Sequence, residues 1–277
     1  MIANDLRVAG PVGNALGFCA VIEKTLRMKL AYRLSALTSV LTTAFGYSVF
    51  LLVWLAVYRE NPNVPLIPKG ELLPYLLVAL VFNATFSLAV ELRFGLRLRQ
   101  GTIALDLLRP LGFLPFQLAQ AMGDAIGNLL YSAPLYLLGV MVWGRAVLPP
   151  DALHAGLGFA SLLLAFLISF GLSYSMMQIA FVTHSQYGVI NARLALHQAL
   201  SGLTAPLAVL PDGLHRVAEC LPFRHVIETP VRIWLGLVPF EQISGLMLQQ
   251  CAWVAGMLLT STALFDSALR RHQVQGG

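Results

Sequence analysis

Asp124 is an acidic residue well inside an apolar stretch of the sequence, residues 111–143. A carboxylate is costly in lipid, so an acid in such a position is a functional candidate by default. Asn128 follows one helical turn later, and Gly123 and Gly127 form a small-xxx-small pair that permits close approach of another helix. These residues predict a helix contact or a polar patch of a transport path. The alternative is a helix that enters the membrane late and leaves Asp124 among the cytoplasmic headgroups.

Arg193 and His197 also interrupt an apolar segment, and the same two interpretations apply to them. We expect the Arg193 side chain to extend to the cytoplasmic headgroups, because a long basic side chain can keep its stem in lipid and its charge in water. Asp124 and His197 together are candidates for the proton relay of a secondary carrier.

The sequence lacks the common motifs of phosphate and metal chemistry. It contains no Gly-x-x-x-x-Gly-Lys-Ser/Thr, no His-Glu-x-x-His and no Gly-x-Ser-x-Gly stretch. The histidines are spread along the chain, and the three cysteines form no Cys-x-x-Cys pair. We therefore predict no catalytic residue, no cofactor-binding residue and no metal ligand, and we expect that the chain is not an enzyme.

The composition indicates that these residues belong to a membrane protein. Of the 277 residues, 57% are hydrophobic and 11% are charged, whereas soluble domains carry about 25% charged residues. A soluble protein is therefore excluded. The net charge is +5, but the basic residues lie between long apolar runs and not on one polar face, which excludes a nucleic-acid partner.

Long apolar runs predict helices that cross the membrane, because a helix satisfies its own backbone hydrogen bonds in lipid. We predict an all-α polytopic fold, a single domain over residues 1–277 with six spans. The predicted spans are residues 35–57, 72–90, 118–143, 155–182, 189–210 and 243–265. Of the 18 Lys and Arg residues, 12 lie in or beside the segments on the side of the two termini. This bias predicts that both termini are cytoplasmic.

Residues 17–33, before span one, have the pattern of an amphipathic helix. Apolar residues recur at intervals of four from Phe18 to Leu30, while charged residues between Glu23 and Arg27 lie on another face. We predict an interfacial helix on the cytoplasmic leaflet. A simple basic flank that fixes the topology is the alternative.

The longest predicted cytoplasmic loop, residues 91–117, contains a short helical segment at 101–110. Gly101 permits a chain reversal, and Thr102 can cap a helix that stops before Pro110. A helix of fewer than two turns is unstable alone, so its apolar side chains should dock on a cytoplasmic protein. The residues assigned to this docking segment are Gly101, Thr102, Ile103, Leu105, Asp106, Leu107, Arg109 and Pro110.

The predicted outer segment, residues 211–239, is rich in both proline and apolar residues. Leu214, Val217 and Leu221 share one helical face, while charged residues occupy another. This pattern predicts short amphipathic helices, bounded by prolines, that re-enter the outer membrane boundary and close the end of a path. The predicted outer gate consists of Pro206, Pro211, Leu214 and Pro222.

Three stretches of sequence carry a resemblance to a known family. They are GTIALDLLRPL at residues 101–111, SGLTAPLAVLP at 201–211 followed by LPF at 221–223, and VQGG at 274–277. Together with the order of elements, they resemble ABC-2 type transporter permeases, and most closely the daunorubicin-resistance-like export permeases. The resemblance implies that segment 101–110 is a coupling helix seated on a separate ATPase subunit. It also implies two such ATPase subunits, which bind ATP and Mg, a second permease that is identical or related, and a bacterial inner-membrane location.

The function implied by this resemblance is that of a permease subunit of an ATP-driven exporter, without an ATPase site of its own. A mostly apolar path suits an amphipathic or lipid-like substrate. The polar candidates for the path or for helix contacts are Thr42, Thr43, Tyr47, Asn83, Thr85, Ser87, Asp124 and Asn128. A proton-coupled secondary carrier, a membrane-embedded enzyme and an assembly or scaffold protein are the alternatives.

Overall fold

The computed structural model describes residues 11–60, 69–86, 89–99, 111–183 and 186–272. Within these ranges the chain is helical and contains no β-strand, so the all-α class is confirmed for this part. The α-helices are α1 (Pro11–Ala31), α2 (Arg33–Glu60), α3 (Lys69–Thr85), α4 (Ala89–Arg99), α5 (Phe113–Trp143), α6 (Ala152–Thr183), α7 (Gln186–Leu200), α8 (Asp212–Glu219), α9 (Glu228–Trp234) and α10 (Phe240–His272). Short 3-10 turns lie at Gly144–Val147, Leu207–Val209 and Pro222–His225.

Five helical segments of the described chain are long and apolar enough to cross a membrane. They are Val40–Glu60, Gly70–Arg97, Phe113–Val147, Ala152–Ile179 and Phe240–Ser261. Because a helix of about 20 residues spans the hydrocarbon core, the chain is a multi-pass membrane protein. The predicted span at residues 189–210 is not among the five, and six spans stay a prediction.

The segment predicted as span five forms a shorter helix than expected. α7 has 15 residues and ends at Leu200, whereas the apolar pattern predicted a helix to residue 210. Gly202 has a φ of +81°, the left-handed conformation that commonly follows a helix C-terminus. Pro206 lies shortly beyond it and lacks the N–H that a continuing helix would need.

In the region of predicted span two, helical structure continues beyond the end of the apolar run. α3 ends at Thr85, where the Thr85 hydroxyl donates to the Phe82 carbonyl at 2.6 Å. α4 then extends to Arg99, across residues that the sequence predicted as a loop from residue 91. Buried Phe94 packs there with aromatic residues of other helices, which explains why a charged stretch stays helical.

α3 lies at the centre of the bundle. Its side chains from Leu72 to Phe82 are mostly buried, in a cluster that includes Val226 and Val231. α3 packs against α5, α2 and α9, and α6 packs extensively along α10. α2, by contrast, lies at the edge and exposes large apolar side chains, which are available to lipid or to another protein. They include Leu41, Phe45, Val49, Leu52 and Val53.

Candidate functional site

Asp124, on α5, is held by basic side chains from two other helices. Arg93 Nη2 of α4 lies 2.7 Å from Asp124 Oδ2, and Lys29 Nζ of α1 lies 3.7 Å from Oδ1. Lys29 Nζ also donates to the backbone carbonyl of Asp124 at 3.3 Å. Asp124 is 5% exposed, and the two cations offset the cost of burying its charge. We call Asp124, Arg93 and Lys29 the ion triad.

Two glycines of α5 bring α1 close enough to form this triad. A Cβ atom on Gly123 would lie 2.8 Å from Thr25 Cβ and 2.9 Å from the Ile22 carbonyl oxygen. A Cβ atom on Gly127 would lie 2.7 Å from Lys29 Cδ. Since no side chain fits there without displacement, the small-xxx-small pair is the contact surface for α1.

Glu91 and Arg193 form a second buried ion pair, between α4 and α7. Arg193 Nε donates to Glu91 Oε1, and Arg193 Nη2 donates to Ser173 Oγ of α6 at 3.0 Å. Arg193 is 5% exposed and Glu91 is 2% exposed. The prediction that Arg193 extends to the headgroups is therefore wrong, because a carboxylate inside the bundle satisfies its charge.

His197 lies one turn beyond Arg193 and binds a different helix. Its Nε2 is 2.9 Å from Asn83 Oδ1 of α3, in position to donate a hydrogen bond. Asp124 is bound to the other members of the ion triad. Asp124 and His197, the two residues considered for a proton relay, are therefore each bound to other residues.

A polar cavity of about 230 Å³ lies between α2, α3 and α5. Thr43 of α2 and Asn128 of α5, both predicted for the path, meet at this cavity, and the lining residues are uncharged. On α5 they follow the i, i+3, i+4, i+7 spacing of one helical face. The lining residues are Val40, Thr43, Ala84, Asn128, Tyr131, Ser132 and Leu135.

The remaining residues predicted for the path do not line this cavity. Thr42 is exposed and donates to a carbonyl of its own helix at 2.8 Å. Tyr47 is buried and donates to the Leu73 carbonyl at 3.3 Å. The Thr85 hydroxyl bonds within its own helix, as noted above. Ser87 lies outside the described residues.

Glu228, the first residue of α9, is a third buried charge. It is 2% exposed, with Arg232 Nη1 at 3.6 Å from Oε1 and Arg224 Nε at 3.8 Å from Oε2. Burial raises the pKa of Glu228, and the two arginines counteract this shift. The neighbouring His225 is also buried, and burial lowers its pKa to about 4. This cluster lies near the N-terminal end of α3, whereas the ion triad lies beyond the C-terminal end of that helix.

The turn after α7 joins this cluster to α3. The backbone N–H of Glu228 donates to the Ser201 carbonyl at 3.0 Å. The Tyr75 hydroxyl of α3 donates to the Gly202 carbonyl at 2.8 Å. A Cβ atom on Gly202 would lie 2.7 Å from Tyr75 Oη, so the turn requires glycine for space as well as for backbone conformation.

The residues predicted as the outer gate take different positions. Pro206 is buried and lines a cavity of about 200 Å³ together with Glu228. Pro222 is buried at the start of a 3-10 turn. Pro211 is exposed and precedes α8, on which Leu214 is 53% exposed. The chain here does form short helices that begin beside prolines, and their re-entry into the membrane stays a prediction.

The docking segment predicted at residues 101–110 lies outside the described residues. Within the described ranges, no group of three or more His, Cys, Asp or Glu side chains is arranged to hold a metal ion.

Glu91 and Ser173 were missed by the sequence reasoning. Glu91 follows directly on an apolar run and was assigned to a loop, and its partner Arg193 lies 102 residues away along the chain. Arg193 itself could have indicated such a partner, because a cation in a segment that is apolar enough to span the membrane requires a buried partner.

Helices of spanning length, tied together by buried ion pairs and lining an uncharged polar cavity, define an integral membrane protein. A family model described as ABC-2 family transporter protein matches residues 34–276. Because the match covers most of the chain, the chain belongs to the ABC-2 transporter family. Membership makes it a permease component of an ABC transporter and implies an ATPase partner. Searches among curated proteins and among solved structures found no match.

Proposed function

We propose that this chain is the membrane subunit of an exporter in a bacterial inner membrane, and that it moves an amphipathic or lipid-like substrate. The observation that carries the proposal is the pairing of buried charge. In the described part of the bundle, the buried acids Glu91, Asp124 and Glu228 each have a basic partner. A buried acid that is bound to a basic partner serves to hold helices together, whereas a proton relay needs acids that exchange their protons during transport. An external source of energy and an uncharged path fit this arrangement best.

The energy source in this proposal is ATP hydrolysis on separate subunits. Two ATPase subunits bind ATP and Mg, and segment 101–110 of this chain docks on one of them. A second permease, identical or related, completes the path. The residues proposed to transmit force are Gly101, Thr102, Ile103, Leu105, Asp106, Leu107, Arg109 and Pro110.

The path itself is proposed to combine polar side chains with apolar walls. α2 supports this because its exposed residues are mostly large apolar side chains, while its Thr43 lines the polar cavity. The short helices between residues 211 and 239 are proposed to close the outer end. This proposal is supported by Pro206 and Pro222, which are both buried beside the Glu228 cluster.

The test is reconstitution of this chain with an ATPase encoded beside it. We expect vanadate-sensitive ATP hydrolysis and transport that continues when an uncoupler collapses the proton gradient. The double change Asp106→Ala with Leu107→Lys should abolish coupling or release the ATPase in a pull-down. The matched control is Glu23→Gln, since Glu23 forms an exposed ion pair on α1. Transport by the isolated chain, or transport stopped by the uncoupler with ATP present, would reject the proposal.

A further inference from the structure

The polar cavity between α2, α3 and α5 lies at the middle of a spanning helix. α5 runs from Phe113 to Trp143, and Asn128 is its central residue. Lipid hydrocarbon offers no hydrogen-bond partner at this depth, so an unpaired carboxamide is costly there. An asparagine in this position therefore requires a partner.

The protein does not supply that partner within the described residues. There, neither Asn128 nor Thr43 has a hydrogen-bond partner for its side chain. Asn128 brings two N–H donors and one acceptor oxygen to the cavity. Tyr131 and Ser132 use their protons within the protein: Tyr131 donates to the Lys29 carbonyl at 2.7 Å, and Ser132 donates within α5 at 3.1 Å. Their oxygens still accept, so the cavity presents both donors and acceptors.

We propose that this cavity binds the head group of an uncharged amphiphile, one that carries hydroxyl, carbonyl or amide groups. The inference rests on the proposed function, export of an amphipathic substrate, and it specifies the chemistry of that substrate. The hydrogen-bonding groups of such a head group pair with Asn128 and Thr43, which satisfies both sides without a charge.

The lining excludes head groups that carry a net charge. An ion transferred to the cavity loses its hydration, and no lining residue carries a charge that compensates for this loss. Asp124 lies one turn before Asn128, and Lys29 accepts from Tyr131 through its carbonyl. The Asp124 carboxylate is bound to both Lys29 and Arg93 in the ion triad. A cationic or anionic amphiphile should therefore bind more weakly than a neutral one with the same tail.

The size of the cavity fits a head group and not a whole amphiphile. Its volume, about 230 Å³, is below the roughly 300–1,000 Å³ of typical ligand pockets. The tail of the ligand therefore lies outside the cavity.

The test is photolabelling of the full chain in lipid nanodiscs with a diazirine-bearing dodecyl glucoside, without any ATPase. Labelled peptides are identified by mass spectrometry. We expect labels in peptides that contain residues 40–43 or 128–135. Unlabelled dodecyl glucoside should compete at concentrations about tenfold lower than dodecylamine or dodecyl phosphate.

Three variants and one control separate this site from general lipid contact. Asn128→Leu removes the unpaired amide at similar volume, and Thr43→Val removes the hydroxyl of the other lining side chain that has no partner in the described residues. Each should weaken labelling about tenfold, as expected for the loss of one or two hydrogen bonds. Ala84→Leu fills the cavity and leaves Asn128 intact, which keeps the test valid if Asn128→Leu fails to fold. Thr42→Val is the matched control, because Thr42 adjoins Thr43 but does not line the cavity.

Each outcome decides the proposal independently of ATP-driven transport. Labelling that is lost in Asn128→Leu and Ala84→Leu but kept in Thr42→Val supports the site. Labelling that is equal in all variants, or that charged amphiphiles displace equally well, overturns it. If the labelling supports the site but no ATPase drives transport by the chain, the exporter function alone would be rejected. An active exporter whose Asn128→Leu variant binds dodecyl glucoside normally would reject the site alone.

Discussion

Each buried acid of the described bundle is paired with a basic residue, and two of the pairings link different helices. Asp124 joins α5 to α4 and α1, and Glu91 joins α4 to α7. A buried charge without a partner is far more costly than two apolar side chains in the same place. Removing one partner should therefore destabilise the fold more than removing both.

The pair of Glu91 and Arg193 tests this asymmetry. Arg193→Leu should destabilise the protein by about 3–5 kcal/mol, because the Glu91 carboxylate stays buried without the charge of Arg193 beside it. The double change Glu91→Leu with Arg193→Leu should recover much of that loss. Thermal unfolding in detergent, followed by tryptophan fluorescence, measures both. Arg27→Leu is the control, since Arg27 and Glu23 form an exposed pair worth less than about 1 kcal/mol. Equal losses for the three variants would contradict this interpretation of the buried pair.

The turn at Gly202 gives a second prediction at the scale of one residue. Gly202→Ala places a side chain in a left-handed backbone conformation and within 2.7 Å of Tyr75 Oη. We expect a loss of stability of about 1–3 kcal/mol, measured by the same unfolding experiment. Gly213→Ala on α8 serves as the control, because a Cβ atom there meets no atom within 4 Å. It should leave stability unchanged or slightly raised, since alanine favours a helix. A tolerated Gly202→Ala change would show that the turn can relax.

At the scale of helices, the sequence predicted what depends on local pattern. Intervals of four residues located α1, and uncharged runs located the five helical segments that are long and apolar enough to cross a membrane, because burial in lipid requires continuous apolar surface. The same reasoning failed at the end of α7, where Gly202 acts through its backbone and not through its hydrophobicity. It also placed Glu91 in a loop, since the sequence around Glu91 does not indicate its partner Arg193, which lies 102 residues away. The sequence predicted that Gly123 and Gly127 contact another helix, but only the structure shows that this helix is α1.

The contact between α1 and α5 supplies the prediction at this scale. Gly123→Leu places side-chain atoms where Thr25 and the Ile22 carbonyl now lie, so α1 should separate from α5. Hydrogen exchange of the Pro11–Ala31 amides should accelerate at least tenfold, while α10 stays protected. Gly46→Leu on α2 is the control, because a Cβ atom there meets no atom within 4 Å. Unchanged exchange over α1 in the Gly123 variant would mean that α1 is held mainly by the ion triad.

At the scale of the whole molecule, the two ends of α3 differ in what they bind. Beyond its C-terminal end, the ion triad ties α1 to the bundle. At its N-terminal end, Tyr75 binds the turn that precedes the Glu228 cluster. If the bias of Lys and Arg predicts the topology correctly, the ion triad lies toward the cytoplasm and the Glu228 cluster lies toward the outside.

The three native cysteines can test this orientation without disturbing either end. Cys19 is exposed on α1, Cys220 is exposed after α8, and Cys251 is exposed within α10. In variants that keep one cysteine each, a membrane-impermeant maleimide applied to intact cells should label Cys220 and spare Cys19. Cys19 should react only after the membrane is opened. Cys251, in a spanning segment, should resist the reagent in both conditions, because thiolates do not form in hydrocarbon. Labelling of Cys19 in intact cells would reverse the topology, and with it the side on which an ATPase can dock.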